Sequence, residues 1–542
     1  MSNLNLQTAE QQNCYIISDG LIVDELLALL KQKFVCSLEP DEKFRIAYYD
    51  TFDWRLYQND ETLALYQYGQ KQKLALGKFS DGQVKAVVPL SISTKIPSKL
   101  DAIPPALRDL IVSNIAMRAL LPVVKIEGDT QKLLLRNKHD KIVARLSLEK
   151  NSTVSAEHGR KKSFPERLIV NPVKGYQEEL KRVRAILNKI PSLTHCKLNL
   201  LDMALAEIGR HTGDYSSKIK IKFNSDIQSV QAVKSILKHL LSAMDMNEPG
   251  MLARLDSEFL HDYRIAVRRT RSILSQMKNV FPKDRFEYFK KEFAWLGAVT
   301  TPARDLDVYL LEFEKLQNRF VADMRDALLP FRDFLQEQQD YAYKELIAAI
   351  TSARYKKLKQ ELNKFFKDDE ELVNAPDAKK DIYLHADERI WRSYKRVKKE
   401  ADRLMPDSPT QDFHELRKSC KKLRYLLEFF QCFYPENKMR KLIKQLKILQ
   451  DNLGEFQDMD VQHIALRNFA KMMAEQQGVN NADTYMAMGV LADGMVQRKI
   501  ELQYAFVDCY KKFSRERYQK LFSQLFKPKM KPEQEALHES IG

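Results

Sequence analysis

An internal duplication in the C-terminal half constrains the fold of this chain more than any other feature. The segment that begins at Leu260 reads LHDYR and runs on to VRRTR, and the segment that begins at Phe413 reads FHELR and runs on to CKKLR. Matched positions from residue 261 to residue 308 all recur 153 residues later, without a gap. Chance similarity between two basic helices would not keep this register, so we predict two copies of one helical unit that pack together.

One face of the duplicated helix is basic. A helix advances about 100° per residue, so side chains at offsets 0, 3, 7 and 10 share one face. An apolar face lies beside it and is expected to pack on a core. Like charges one turn apart repel by roughly a few tenths of a kcal/mol per pair, so carboxylates or an anionic ligand should accompany them. The basic face comprises His261, Arg264, Arg268 and Arg271 in the first copy and His414, Arg417, Lys421 and Arg424 in the second.

This stripe has the chemistry of a phosphate-binding surface. Arginine presents a planar charged fork and lysine a compact charge, both suited to phosphate oxygens. Histidine adds a donor that becomes cationic as the pH falls. The stripe runs about 15 Å along its helix, which suits an extended polyanion better than a single small anion. We therefore predict phosphate contact for the arginines and Lys421, hydrogen bonding for the two histidines, and further contacts for the repeat-related Lys291 and Lys444.

A repeated D-x-D-V sequence follows each basic helix and offers a second interpretation. Its carboxylates could neutralise the bases in structural salt bridges, since charged helix faces are usually solvated. We expect these aspartates to cap the following helices and to orient the bases rather than to bind metal. No histidine pair has H-x-x-x-H spacing, and we predict no metal site, no cofactor and no catalytic residue in this half. The aspartates are Asp305, Asp307, Asp458 and Asp460.

The N-terminal half has a different pattern. Short β-rich runs occur at residues 44–49, 62–68, 83–89, 123–127, 132–136 and 142–148, with helical patterns at 21–34 and 106–119. Long helical patterns begin after residue 222, as at 227–244, 259–280 and 381–404. We place the boundary near residues 215–224 and predict an α+β domain followed by an all-α domain.

Composition limits the class of partner. The net charge of +16 favours an acidic partner such as nucleic acid, a membrane surface or polyphosphate. The six cysteines are scattered without a C-x-x-C pair, which argues against a zinc site or disulfide framework. No apolar run is long enough for a membrane helix, and the polar start lacks a signal-peptide core. We predict a cytoplasmic protein with no membrane partner.

The duplicated H-x-x-R-x-x-x-[RK]-[RK]-x-R helix followed by D-x-D-V resembles the CHAD domain, the conserved histidine α-helical domain. The resemblance covers roughly residues 222–510 and includes both copies of the signature. It implies a pseudo-twofold fold of two helical-bundle repeats, about 227–366 and 380–510, with a basic central groove that binds inorganic polyphosphate. Arg304 precedes the first D-x-D, whereas Gln457 holds that position in the second copy.

Residues 48–56, which read YYDTFDWRL, are similar to the Y-Y-D-T segment of the CYTH family, and residues 122–148 are similar to its later hairpins. This resemblance covers about residues 10–220 of a domain that we predict at residues 1–220. It implies an antiparallel β tunnel with helices. Active members hold a divalent metal on an E-x-E-x-K strand, which is missing from the first forty residues here. Tyr66, Gln67 and Tyr68 stand where the family has alternating bases, and residues 167–172 read RLIVNP where an acidic strand is expected.

Phosphoryl hydrolysis needs carboxylates to position the metal, so we predict a degenerate tunnel domain without activity. It could still bind an anion through Lys125, Arg136 or Arg145, unless these are ordinary strand-face bases. The leading hypothesis is a polyphosphate-binding protein, associated with polyphosphate granules, that ends in a flexible tail at residues 527–542. The alternatives are a metal-dependent inorganic triphosphatase and a general nucleic-acid binder, which is less favoured because no aromatic platform accompanies the basic stripe.

Overall fold

The computed structural model describes residues 13–18, 23–91, 103–154, 161–196, 198–219, 221–224, 226–321, 325–367, 375–477 and 481–528. The chain divides into two compact units, Met1–Ser216 and Ser217–Gly542. None of the helices in the described ranges is long and apolar enough to cross a membrane. Residues 529–542 of the predicted tail lie outside the described residues.

The first unit is built on an antiparallel sheet of ten strands. Their order is β10-β1-β9-β8-β7-β3-β4-β5-β6, and β2 pairs with β7. The strands are β1 (Cys14–Ile17), β2 (Val35–Leu38), β3 (Glu42–Thr51), β4 (Glu61–Tyr68), β5 (Lys71–Lys78), β6 (Val84–Leu90), β7 (Leu120–Arg136), β8 (Ile142–Val154), β9 (Lys161–Pro172) and β10 (Leu193–His195). In the described residues of this unit, the helices that accompany them are α1 (Val23–Lys31), α2 (Arg55–Gln58), α3 (Pro105–Ile115), α4 (Gln177–Leu187) and α5 (Leu200–Glu207).

Strand β3 shows why these residues form a sheet. Phe44, Ile46 and Tyr48 alternate along it and are buried, as expected of a strand with one face on a core. Ile46 lies between Tyr66 of β4 and Ile126 of β7 in the register. The strand ends at the Y-Y-D-T segment, where the buried carboxylate of Asp50 accepts hydrogen bonds from the backbone N–H groups of Thr51, Leu56 and Tyr57. This aspartate therefore fixes a turn.

The predicted α+β character of this half is confirmed, including the strands at 44–49, 62–68 and 142–148. The two runs at 123–127 and 132–136 are parts of the single long strand β7. The short loop at 137–141 is a hairpin connection as predicted, since the Asn137 side chain accepts hydrogen bonds from the backbone of His139 and Lys141. The sequence pattern does not predict strands β1, β2, β5, β9 and β10.

The second unit consists of helices, as predicted. They are α6 (Ser229–Leu252), α7 (Ser257–Gln276), α8 (Lys283–Val299), α9 (Thr301–Gln317), α10 (Leu329–Thr351), α11 (Ala353–Lys367), α12 (Ile382–Ala401), α13 (Thr410–Phe430), α14 (Glu436–Gln477), α15 (Ala482–Phe513) and α16 (Glu516–Phe526). The first residues of α6, α7, α8 and α10 lie 153 positions before those of α12, α13, α14 and α15. The duplicated sequence segments therefore form helices that begin at equivalent positions in the two repeats.

Equivalent residues of the two copies meet each other. Gln228 and Asp381, which are 153 positions apart, form an isolated antiparallel bridge. The N–H of Ser229 donates to the carbonyl of Lys380 at 2.9 Å, and the equivalent N–H of Ile382 donates to the carbonyl of Ile227 at 3.4 Å. Reciprocal bonds between equivalent positions are the signature of a local twofold axis. The two repeats are therefore related by pseudo-twofold symmetry at this junction.

The repeats differ in one helix break. Helices α8 and α9 are separated at Thr300, whereas the equivalent stretch of the second repeat lies within the continuous α14. Pro302 lacks a backbone N–H, and its ring opposes continuation of the preceding helix. Its equivalent is Glu455, which has no such restriction. At the break, the hydroxyl groups of Thr300 and Thr301 lie beside the basic helix of the first repeat.

Candidate functional site

The two basic helices, α7 and α13, pack against each other. Nη2 of Arg269 on α7 lies 3.1 Å from Oε2 of Glu428 on α13, an ion pair between the repeats. Nη2 of Arg268 lies 3.5 Å from the hydroxyl of Tyr425 on α13. The structure thus brings the basic stripes of both copies to one place.

Arg264 is held by hydroxyl groups. Its Nη1 donates to the hydroxyls of Thr300 and Thr301 at 3.0 and 2.9 Å, at the break between α8 and α9. Burial lowers the pKa of Arg264 to about 10; Arg268 adds to this, and Asp305 opposes it. The guanidinium still carries its charge at neutral pH, and its hydrogen-bond partners do not neutralise it.

Arg271 and its counterpart Arg424 are held in related ways. Gly297 lies beneath Arg271, because a Cβ atom placed on that glycine would be 2.8 Å from Nη1 of the arginine. The position equivalent to Gly297 is Gln450, whose Oε1 accepts a hydrogen bond from Nη1 of Arg424 at 3.0 Å. Nε of Arg424 also pairs with Oε1 of Glu428 at 3.1 Å. The second copy therefore carries more neutralising contacts than the first.

The remaining bases of the second stripe lie near a carboxylate. Nη2 of Arg417 is 3.7 Å from Oδ1 of Asp458 on α14. Lys421 makes no hydrogen bond or ion pair with the described residues. Burial, Arg268, Arg417 and Arg424 lower its pKa to about 7, and Asp458 opposes this shift. A lysine crowded by three arginines is half charged at neutral pH and gains from any added anion.

We define the basic cluster as Arg264 and Arg268 of the first repeat together with Arg417 and Lys421 of the second. Arg268 lowers the pKa of Arg264, of Arg417 and of Lys421, although it lies on a different helix from the last two. The four positions are two repeat-equivalent pairs. Their charges act on one another across the repeat junction, which is the arrangement expected of a single anion site.

The histidines lie beside this cluster. Nε2 of His414 is 3.4 Å from Oδ2 of Asp460, whose Oδ1 accepts a hydrogen bond from Lys499 at 2.6 Å. Burial lowers the pKa of His414, and Asp460 opposes that effect. His261 is partly buried at the equivalent position in α7. The predicted role of the histidines as hydrogen-bonding groups stays a prediction.

The prediction that the D-x-D-V aspartates cap helices is wrong. Asp305 and Asp307 lie inside α9, and Asp458 and Asp460 lie inside α14, at positions whose backbone groups bond within the helix. Asp307 is buried and accepts hydrogen bonds from Tyr343 and Gln339. Burial holds the pKa of Asp305 above its usual range, and the neighbouring carboxylate of Asp458 adds to this shift. Asp305 and Asp458 therefore act electrostatically on Arg264 and Arg417.

Lys291 and Lys444 are exposed on α8 and α14 and form no ion pair with the described residues. Within the described residues, neither lysine forms a hydrogen bond or an ion pair with the basic cluster. Their equivalence in the two repeats is real, and their predicted phosphate contact remains a prediction.

Several residues of the site escaped the sequence analysis. Arg269 and Glu428 tie the two basic helices together, and Thr300, Thr301 and Gly297 shape the pocket around Arg264. Glu428 has Ser275 as its equivalent, and Thr300 has Leu453, so the repeat pattern gave no signal for them. Pro302, which ends one helix and begins the next, was the available clue to the hydroxyl pair.

Within the described ranges no group of three or more histidine, cysteine, aspartate or glutamate side chains is arranged to hold a metal ion. The chemistry of the site is therefore that of fixed cations with a few carboxylates.

The sequence profile of the CHAD domain family matches residues 235–467, from within α6 to within α14. The helical unit contains a CHAD domain. The match includes both basic helices, so all four residues of the basic cluster belong to the CHAD domain. No curated protein sequence matched the chain.

Solved structures resemble parts of the chain. The CHAD domain from the plant Ricinus communis is 24% identical over 54% of this chain and 94% of its own, with a TM-score of 0.46. PptA from Streptomyces chartreusis is 15% identical over 53% of this chain and 100% of its own, with a TM-score of 0.42. HpAC1 from Hippeastrum, a putative adenylyl cyclase with dominant triphosphatase activity, is 13% identical over 36% of this chain and 94% of its own, with a TM-score of 0.26. The CHAD assignment rests on the sequence match.

Proposed function

We propose that the CHAD domain of this protein binds inorganic polyphosphate, or a similar linear polyanion, through the basic cluster. The observation that carries the proposal is that the two basic helices pack together, with Arg268 3.5 Å from Tyr425 of α13 and the Arg269–Glu428 ion pair between them, so that the bases of both repeats adjoin one another. Four bases that crowd one another at the packed helices gain stability when an anion lies among them. The resemblance stated for the duplicated helix implies the same ligand class.

The contacts of the bases support unequal roles for the two halves. Arg264 is positioned by uncharged hydroxyls and forms no ion pair with the described residues, although Asp305 acts on it electrostatically. Arg417 lies near Asp458, which offsets part of its charge. The first-repeat half of the cluster should therefore contribute more binding energy than the second. Hydrogen bonds to charged groups contribute roughly 1.5–3 kcal/mol each, which sets the scale of the difference.

The choice of ligand rests on the packing of two basic helices against each other. A chain of phosphates carries one charge per unit along a flexible backbone and can follow bases from one helix to the next. A single-stranded nucleic acid also carries nucleobases, which its binding proteins usually stack on aromatic side chains. We further propose that the protein associates with polyphosphate granules in the cytoplasm and that the first unit, Met1–Ser216, has no hydrolytic activity.

The test is binding of polyphosphate at several salt concentrations. Wild-type protein is compared with the double variants Arg264→Ala/Arg268→Ala and Arg417→Ala/Lys421→Ala. Affinity should fall steeply with salt, and each double variant should lower the salt slope by up to about two, by analogy with counterion release from nucleic acids. The first pair should lose more affinity than the second.

A matched control removes two positive charges elsewhere. Lys344 and Lys356 are exposed on α10 and α11 and make no ion pair with the described residues. Lys344→Ala/Lys356→Ala should leave the slope almost unchanged. Equal losses in all three variants would show general charge attraction, and wild-type protein that ignores polyphosphate would refute the proposal. Tighter binding of RNA at the same salt concentration would favour the nucleic-acid alternative.

A further inference from the structure

Tyr425 lies among the bases of the site, although it is not part of the duplicated signature. It is buried on α13. Its hydroxyl lies 3.5 Å from Nη2 of Arg268 on α7, and the guanidinium of Arg424 lies 5.8 Å from the centroid of its ring. The phenol also acts electrostatically on Arg417. Three arginines, drawn from both repeats, therefore surround one tyrosine side chain.

The hydroxyl proton of Tyr425 has no acceptor among the described residues. The hydroxyl oxygen accepts a hydrogen bond from Arg268, and the O–H group donates to no described side chain or backbone group. The neighbouring arginines cannot accept the proton, because a guanidinium carries only donors. The acceptor must therefore be an oxygen of a ligand or of water.

The ring of Tyr425 is held in place by packing. It contacts the ring of Phe429, one turn further along α13, with the two centroids 6.3 Å apart. Phe429 is itself buried. A donor that is fixed before binding loses little conformational entropy when a ligand arrives. The hydroxyl is thus a preorganised neutral donor at a place where positive charge attracts anions.

The first repeat has no counterpart of this donor. Ser272 occupies the equivalent position on α7, and its Oγ is buried without a hydrogen-bond partner in the described part of the chain. A serine side chain ends at Oγ and does not extend as far from its helix as a phenol does. Because the two copies differ here, the repeated pattern does not predict a role for Tyr425.

We infer that Tyr425 donates its hydroxyl proton to an oxygen of the bound polyanion and thereby makes the site prefer phosphate to sulfonate groups. This inference rests on the proposed function of the basic cluster. Cations attract both kinds of group, whereas a hydrogen bond depends on the charge of the accepting oxygen. An internal phosphate unit shares its negative charge between two oxygens, and a sulfonate shares it among three. The phosphate oxygen is therefore the stronger acceptor.

Tyr425→Phe removes the hydroxyl and keeps the ring that packs on Phe429. Polyphosphate is titrated into the full-length protein at several salt concentrations. We expect affinity to fall by about fivefold to tenfold at every salt concentration, with an unchanged salt slope, because a phenol carries no charge. The single variant Arg268→Ala should instead lower the slope by about one. A parallel shift therefore identifies a neutral contact.

Poly(vinyl sulfonate) of similar chain length is the second probe. Wild-type protein should bind it more weakly than polyphosphate. In Tyr425→Phe the ratio of the two affinities should fall by about threefold or more, because the sulfonate gains less from the hydroxyl. Equal losses for the two polyanions would overturn the inferred selectivity.

A double variant separates direct contact from positioning. If the hydroxyl donates to the ligand, Tyr425→Phe should weaken polyphosphate binding by a similar factor when Arg268→Ala is already present. If the hydroxyl only holds Arg268, its removal should have no further effect in that background. The second result would overturn the inference.

Tyr518→Phe is the matched control. Tyr518 on α16 is also buried, and its hydroxyl also accepts a hydrogen bond from an arginine, Arg517, at 2.9 Å. It lies outside the segment that matches the CHAD family, so polyphosphate affinity should not change. If wild-type protein and Tyr425→Phe bind polyphosphate equally well, the inference is wrong and the polyphosphate proposal stands. Wild-type protein that does not bind polyphosphate would refute both.

Discussion

The hydroxyl of Tyr309 donates a hydrogen bond to the carbonyl oxygen of Gln462 at 2.9 Å, and these two residues occupy the same position in the two repeats. A contact between equivalent positions lies close to the axis that relates them. The bridge between Gln228 and Asp381 is a second contact of this kind. The repeats are thus joined at their symmetry-related positions, and the basic cluster lies between them.

Tyr309→Phe should weaken this junction. Tyr309 is buried, and the loss of its hydroxyl removes one hydrogen bond to a carbonyl oxygen within α14, which costs about 0.5–1.5 kcal/mol. Urea unfolding of the full-length protein measures the change in the free energy of unfolding. Tyr341→Phe is the matched control, since Tyr341 is exposed and should lose less than about 0.5 kcal/mol. Equal effects would show that the contact across the axis contributes nothing specific.

Lys421 should make polyanion binding depend on pH. Burial and three arginines lower its pKa to about 7, and a bound phosphate favours the ammonium form. Binding therefore takes up a proton above pH 7, and affinity should fall by up to about tenfold per pH unit as the pH rises from 7 towards 9. The groups that face Lys421 are Arg268 from α7, Arg417 and Arg424 from α13, and Asp458 from α14.

Lys421→Arg tests this directly, because arginine stays charged throughout that range. The variant should retain binding at pH 8.5 and show a flatter pH profile, measured by polyphosphate titration at constant salt. Lys344→Arg replaces an exposed lysine and should keep the wild-type profile. An unchanged profile in Lys421→Arg would mean that another group titrates.

Asp458→Asn should strengthen polyanion binding. Asp458 lies 3.7 Å from Arg417 and opposes the shift in the pKa of Lys421, so it offsets positive charge in the cluster. Its side chain is 61% exposed, which limits the expected gain to about twofold to fivefold at low salt. Asp493→Asn on α15 is the control and should change affinity little. Weaker binding in Asp458→Asn would indicate that the carboxylate positions Arg417 for the ligand.

Gly250 should tolerate no side chain. A Cβ atom at this position in α6 would lie 2.4 Å from the ring of Phe259, which is buried. Gly250→Ala should therefore destabilise the protein by about 1–3 kcal/mol despite the better helix propensity of alanine. Gly489→Ala in α15 is the reverse case, since nothing lies within 4 Å, and it should stabilise by about 0.5–1 kcal/mol. Thermal unfolding of both variants checks the pair.

The fold class was predictable because its signals are periodic. The constant spacing of His261 and His414 revealed the duplication, and the alternation around Ile46 revealed the sheet. Strand β9 was missed because its sequence, KKSFPERLIVNP, mixes bases and a proline into a buried strand. The domain boundaries given from the sequence remain predictions.

The site was predictable only where both copies keep the same chemistry. Arg264 and Arg417 are detectable in the sequence because they occupy the same position in the two repeats. In the structure, Arg268, Arg417 and Lys421 interact electrostatically with one another. Contacts made by one copy alone left no pattern, as with Thr300 and Glu428. The sequence predicts the D-x-D-V aspartates at helix ends, because aspartate is a common N-cap residue. Helices α9 and α14 instead begin before these aspartates.

The break at Thr300 gives the two halves of the site different sensitivities. In the first repeat, hydroxyl groups that do not titrate hold Arg264, so its hydrogen bonds should not change with pH, although the carboxylate of Asp305 also acts on it. In the unbroken second repeat, a carboxylate and a half-charged lysine surround Arg417, and both respond to their medium. One proline has thereby separated a duplicated receptor into a constant half and an adjustable half.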